Sequence, residues 1–189
     1  MREFIPKDII SIPDNAKLAF KGKIFDVYQW PQKLYDGTTA TFEMLRRDDT
    51  VNVIGVKDGK VVIVRQRQPR KDWFYSFPGG RHDHPDENEL AAAKREMLEE
   101  TGMTFSNWRL IDVRQPYAKM DWLIYTFVAT DFVNQIKQEL DGGEQIEVVE
   151  VDFDQIRGFT DSRNRLDIEV IRDIDSLEEL LKLPALYNY

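Results

Sequence analysis

Between Asn88 and Gly102 three carboxylates, Glu96, Glu99 and Glu100, fall on a stretch with helical spacing. The spacing predicts a helix from about Asn88 to Thr101, stopped by Gly102 in the usual C′ position. At about 100° per residue, Glu99 and Glu100 lie within about 60° of Glu96, so the three share one stripe. Leu90, Ala93, Met97 and Thr101 form the neighbouring stripe to be buried, and Ala92 leaves room on the acidic side. Like charges at i,i+4 repel by roughly a few tenths of a kcal/mol. Carboxylates in the last turn also oppose the helix dipole. Stability alone would not choose this arrangement, whereas a bound divalent cation reverses both penalties, because clustered carboxylate oxygens suit Mg²⁺ or Mn²⁺. Taken alone, E-x-x-E-E also fits the solvated face of a good helix former, so its surroundings decide.

Those surroundings are rich in strands. Alternating or apolar runs predict strands at Ile24–Gln29, Thr39–Arg46, Val51–Val56, Val61–Arg67 and Trp73–Phe77, with Asp36-Gly37 and Asp58-Gly59 as turns. Further strands are expected at Trp108–Arg114, Leu123–Thr130 and Ile146–Val151. A last helix over Asp173–Leu183 would place Ile174, Leu177, Leu180 and Leu181 on the sheet. Residues 1–20, broken by Pro6 and Pro13, read as irregular. Many strands and few helices without regular alternation mean an α+β chain or a mixed-sheet sandwich.

The 189 residues contain no Cys, which excludes a disulfide framework, thiolate zinc and Cys catalysis. A formal net charge of −8 argues against a non-specific nucleic-acid binder. The apolar run Trp122–Thr130 is too short to span a bilayer, and Met1–Pro6 carries no apolar block, so a cytoplasmic, membrane-free protein is expected.

The segment from Gly80 to Met103 contains Glu87, Arg95-Glu96, Glu99-Glu100 and Gly102 at spacings that resemble the Nudix box, G-x5-E-x7-R-E-U-x-E-E-x-G-U. Everything from Glu87 onward fits. Six residues instead of five separate Gly80 from Glu87, a loop insertion; taking Asp86 as the box acid would restore that spacing and spoil the next. The resemblance implies a Nudix-type α/β/α sandwich around a mixed β-sheet. It implies Glu96, Glu99 and Glu100 as metal ligands together with the Gly79 carbonyl, Mg²⁺ (or Mn²⁺) as the cofactor, and a structural Glu87–Arg95 pair bracing the loop.

Flanking segments look like the ADP-ribose pyrophosphatase-type subfamily: Lys21–Val27, Tyr35-Asp36-Gly37, Phe42-Glu43, Val64-Arg65-Gln66 and Gly143–Val149. Two positions depart, Gln68 where that pattern has Arg and Ser76 where it has an acid. By this resemblance Glu144, mobile after Gly142-Gly143, aligns with a general base, Glu147 is the fallback, and Glu99 of the box is the remaining candidate to activate the water. The implied reaction is hydrolysis of the pyrophosphate in a nucleoside diphosphate linked to another moiety, ADP-ribose or a related sugar. The rival readings are a nucleoside triphosphate or dinucleoside polyphosphate hydrolase and a non-catalytic nucleotide sensor. A homodimer is implied, with residues 1–45 as an N-terminal extension and 46–189 as the hydrolase domain.

Weaker features each carry a plain structural alternative. Arg65, Arg67 and Arg70 are candidate phosphate ligands, or ordinary surface pairs. Trp30, Tyr28, Tyr117 and Trp122 are candidates for stacking on a base, or core residues. Trp73, Tyr75 and Phe77 are expected on one face of a core strand, and His82-Asp83-His84 in a solvated loop.

Overall fold

Two adjacent apolar strands, joined by Asp58-Gly59, make the centre of the molecule. In the computed structural model, which describes residues 1–189 other than 86, 141, 157, 160–163, 165 and 167–168, these are β4 (Asp49–Lys57) and β5 (Lys60–Gln68). Asp86, the rival box acid, lies outside the described residues. Before them come β1 (Lys17–Lys21), β2 (Asp26–Lys33) and β3 (Thr39–Arg46). After them come β6 (Lys71–Ser76), β7 (Arg81–His82), α1 (Glu89–Thr101), β8 (Met103–Arg114), β9 (Met120–Asp121), β10 (Ile124–Gln135) and β11 (Gln145–Val151). Three short helices follow, α2 (Phe153–Ile156), α3 (Glu169–Arg172) and α4 (Leu177–Lys182).

A seven-stranded sheet runs β11-β5-β4-β10-β8, with β6 on β5 and β7 on β4; β4 and β10 are parallel and the other pairs antiparallel. Alternation sends Val51, Val53 and Val62 to the face covered by Ala92, Ala93 and Met97 of α1. Ile54, Val61 and Ile63 go to the other face, under Phe153, Ile156, Ile171 and Leu180. This is the expected α+β sandwich around a mixed sheet.

β4 and β5 pair only from Gly55 to Lys57, and then fork. The segment after β6 fills the fork: Val53 N donates to the Pro78 carbonyl at 2.8 Å and Val51 N to the Gly80 carbonyl at 3.0 Å. The fork places the Pro-Gly-Gly corner beside the last turns of α1.

A second, four-stranded sheet runs β1-β2-β3-β9. Leu18, Phe20, Ile24 and Phe25 are exposed around its β1–β2 hairpin. Residues 17–21, expected to be irregular, instead form β1, an edge strand with every side chain exposed. Arg2 ties this sheet to the larger one, bonding Asp49 at 2.5 Å and Asp121 at 2.7 Å, while Arg46 reaches Asp121 at 2.8 Å.

Four other expectations change. β8 and β10 run on to the pair Met103↔Gln135, past the apolar run, because backbone pairing continues where side chains are exposed. The expected helix over 173–183 divides: Ser176 accepts from Glu179 N at 3.2 Å and starts α4 afresh, leaving Leu181 exposed and Leu180 buried. β6 buries its Phe74 face, while Trp73 and Tyr75 on the expected core face are only half-buried, Trp73 beneath Arg65. His82 is buried, because pairing of β7 with Asp49 turns its ring inward to the Glu87 carbonyl at 2.8 Å; His84 is exposed.

Candidate active site

The site begins with three glycines that allow close approach. A Cβ on Gly79, at φ +149°, would lie 2.0 Å from the Val51 carbonyl oxygen, and one on Gly80 would lie 2.5 Å from the Glu96 carboxyl. The corner therefore presses directly on the acidic stripe, and Gly79 N donates to Glu100 Oε2 at 2.8 Å. Gly102 closes α1 at φ +71° with its N–H on the Leu98 carbonyl. A Cβ there would sit 2.0 Å from the Ile136 carbonyl oxygen, so Gly102 serves both the cap and a close crossing. That crossing matters because the last carbonyls of a helix need partners. Glu139 N donates to the Glu99 carbonyl at 3.0 Å, and the Gln138 amide to that of Glu100. The segment satisfying these carbonyls leads straight on to Glu144.

Arg95 organises the charges. Its guanidinium grips Glu87 through two hydrogen bonds of 3.2 and 3.0 Å, donates to the Arg81 carbonyl at 2.8 Å, and reaches Glu96 at 2.7 Å and Glu99 at 3.1 Å. Although burial opposes ionisation, the hydrogen bonds from Arg95 hold Glu87 below its ordinary carboxylate range. Glu96 and Glu100 go the other way. Burial, reinforced by repulsion from Glu99 and Glu144, pushes Glu96 up to about 7 despite Arg95. Burial is also the main cause at Glu100, which is raised well above the usual range against the Gly79 hydrogen bond. Among the described residues no three acidic or imidazole groups already converge as a metal cage. The donor set nevertheless fits a hard divalent cation: a buried and a half-buried carboxylate whose ionised forms are disfavoured, a third carboxylate beside them, and a corner with no room for a side chain.

Glu144 and Glu147 part company. The Glu144 carboxylate acts electrostatically on both Glu96 and Glu100 and lines the same cleft. Glu147 lies on β11 opposite Arg65 and pairs with it at 2.9 Å, away from that lining. Arg65 is thereby engaged, with its guanidinium also 4.4 Å over the Trp73 ring. Arg67 and Arg70 border a smaller hollow of about 550 Å³ on the far side of Glu144, where Pro69 seats Gly143. Trp30 remains in the four-stranded sheet, packed on Phe42 and donating to Gln32 at 3.0 Å. Tyr28 lies there too, under Arg46.

The main cleft has a volume of about 820 Å³. Its acidic side carries Glu96, Glu99, Glu100 and Glu144. Its floor holds Gln66, Gln68 and Ser76 in one chain: Gln68 donates to Gln66 at 3.1 Å, and Gln66 to the Ser76 hydroxyl at 2.7 Å. The two departures from the subfamily pattern thus meet in a neutral amide–hydroxyl relay. Trp122 is also in the lining, with the Arg47 guanidinium 4.4 Å over its ring, Tyr117 stacked near it, and its indole N–H on Thr50 at 3.0 Å. Sequence reasoning missed Thr50, Asn52 and Arg114 in the lining. The signal was their alternation with the buried Val51 and Val53 and the half-buried Val113, whose face only the tertiary fold identifies.

The NUDIX domain model matches residues 46–173, and the chain belongs to the Nudix family of hydrolases. A Bacillus subtilis (strain 168) protein named ADP-ribose pyrophosphatase is 30% identical over 165 residues, covering 84% of this chain and 88% of that protein. The fold is shared with a crystal structure of an ADP compounds hydrolase (TM-score 0.62, 17% identity, 76% of this chain and 79% of the other). It is shared also with a NUDIX hydrolase from Nitrosomonas europaea (TM-score 0.58, 23% identity, 75% and 96%). Among the described residues no helix is long and apolar enough to cross a membrane.

Proposed function

We propose that the chain hydrolyses the pyrophosphate of a nucleoside diphosphate linked to a second moiety, ADP-ribose or a related nucleoside diphosphate sugar, with Mg²⁺ (or Mn²⁺) bound. The observation that carries this is the meeting of Glu96, Glu99 and Glu100 with Glu144, from a separate segment, around one cleft. Glu96, Glu99, Glu100 and the Gly79 carbonyl would hold the cation. When bound, it would neutralise diphosphate oxygens and ease loss of a proton from water. The chain's own residues do the rest. Arg95 and Glu87 fix the α1 carboxylates against the loop, and the Gly79 N–H holds Glu100 in place. Glu144, on the other side of the same cleft, accepts the proton of the attacking water at its carboxylate. With ADP-ribose the products are AMP and ribose 5-phosphate.

The ADP-ribose pyrophosphatase relative supports the diphosphate choice, and the neutral Gln68–Gln66–Ser76 floor bears on which second moiety is preferred. We assign residues 1–45 as an extension whose sheet, with Leu18, Phe20 and Ile24 exposed, pairs with a second copy. The test is a screen of diphosphate sugars, dinucleotides and triphosphates with and without Mg²⁺, with product identification. AMP and a sugar phosphate formed only with metal are expected. Faster turnover of a triphosphate than of every diphosphate would overturn the substrate class, and metal-independent release would overturn the site.

A further inference from the structure

A cleft with four carboxylates around it needs fixed positive charge to hold an anion, and the chain's guanidiniums there are mostly committed. Arg95 is bound to Glu87, Glu96 and Glu99, and Arg81 faces Asp83 at 3.5 Å. Arg47 lies over Trp122 and donates to the Asp48 carbonyl at 3.3 Å. Arg114 differs. It lines the cleft from the end of β8, yet among the described residues it makes no hydrogen bond or ion pair, and its Nε is buried without a partner.

Its placement is set by register. Thr50 of β4, Ile124 of β10 and Arg114 of β8 lie side by side across three strands, and all three line the cleft. The next residue, Gln115, is pinned by amide bonds to the Ile10 and Met120 carbonyls, at 2.8 and 2.9 Å. Two strand spacings, about 10 Å, separate Arg114 from β4, on whose other side the Gly79–Gly80 corner runs. Arg114 and the α1 carboxylates therefore line one cleft from opposite sides of β4. A half-buried guanidinium without a counter-ion is unfavourable until an anion arrives.

We propose that Arg114 binds the diphosphate, gripping non-bridging oxygens of the phosphate farther from α1; this rests on the pyrophosphate reading of the cleft. Planar, two-pronged donation suits arginine and not lysine. The role is in binding, so it should show in KM.

The experiment compares wild type, Arg114→Ala and Arg114→Lys. Steady-state hydrolysis of ADP-ribose with Mg²⁺ is measured beside metal-free melting temperature and calorimetric binding of ADP. Arg114→Ala should raise KM by about ten- to a hundredfold, Arg114→Lys should recover only a small part, and neither should melt earlier than wild type. A KM within twofold of wild type, or a lower melting temperature with KM unchanged, would overturn the proposal. If wild type hydrolyses nothing, the hydrolase reading fails by itself, and ADP binding decides for Arg114: affinity lost in Arg114→Ala upholds it, equal affinity overturns it. Absence of ADP binding to wild type would overturn both.

Discussion

The last turns of α1 and the N-terminal four-stranded sheet break the ordinary rules of a folded protein in opposite ways. Around α1, charge is buried: Glu100 is 5% exposed, and burial with carboxylate repulsion raises both Glu96 and Glu100. In the small sheet, apolar surface is left in water, with Phe20 62% and Ile24 56% exposed. In the proposed reading a small cation answers the first departure, compensating carboxylates at short range, and a second copy of the chain answers the second, since only area covers area. One region is therefore tuned by charge and the other by contact, and they should respond to different perturbations.

The largest effect should come from neutralising the acidic stripe. Glu96→Gln and Glu100→Gln should each lower turnover on the order of a thousandfold or more by removing a cation ligand. Because they also relieve repulsion, their metal-free melting temperatures should not fall. Normal turnover with a large loss of stability would make these residues structural and dissolve the contrast with the small sheet.

Next is Glu144. Its replacement by Gln should reduce kcat by about a hundred- to ten-thousandfold with KM and metal affinity little changed. Glu147→Gln should do much less, because that side chain is bound to Arg65. If Glu147→Gln proves the crippled variant, the base must be reassigned.

Backbone crowding at the site offers a sharper stability test. Gly102→Ala should destabilise by about 3 kcal/mol, since the new Cβ meets the Ile136 carbonyl in a left-handed backbone. Chemical denaturation measures this, and a change below about 0.5 kcal/mol would mean that the crossing over α1 relaxes easily.

A smaller, pH-dependent effect follows from Glu96. Its value in the folded state, about 7, exceeds that of an ordinary glutamate. Its contribution to metal-free stability is thus full below the ordinary carboxylate range and lost as pH rises through about 7. Melting temperature without metal should decline from about pH 5 to about pH 8, and Glu96→Gln should flatten that decline. The smallest effect on the protomer itself belongs to the other region. Phe20→Asp with Ile24→Asp should halve the mass seen by light scattering while leaving the protomer fold unchanged by circular dichroism. An unaltered mass, whatever its value, would remove this sheet as the dimer contact.

Much of this arrangement was legible in the residue string because it rests on local periodicity. The α1 carboxylates, the Asn88–Gly102 limits of the helix and most central strands depend on spacings of two or three to four residues along one segment. The forked strands escaped, as did the run of β8 and β10 past their apolar stretch and the exposed β1, because backbone pairing needs no apolar signature. Arg65, Arg67 and Arg70 looked alike in sequence; strand direction and the partner Glu147 sent Arg65 to a surface pair and the other two to a neighbouring hollow.

What the sequence by itself determined is the chemistry on offer: a crowded carboxylate stripe, a corner of glycines before it, and an acid after Gly142-Gly143. Which groups meet was decided only by the tertiary structure. The segment 136–139 crosses the end of α1 to satisfy its carbonyls and delivers Glu144 beside Glu96 and Glu100. Register across β4, β10 and β8 brings Arg114 into the cleft. Neither meeting could be read from spacing, because each depends on hydrogen bonds between separate segments, which no periodicity along one segment announces.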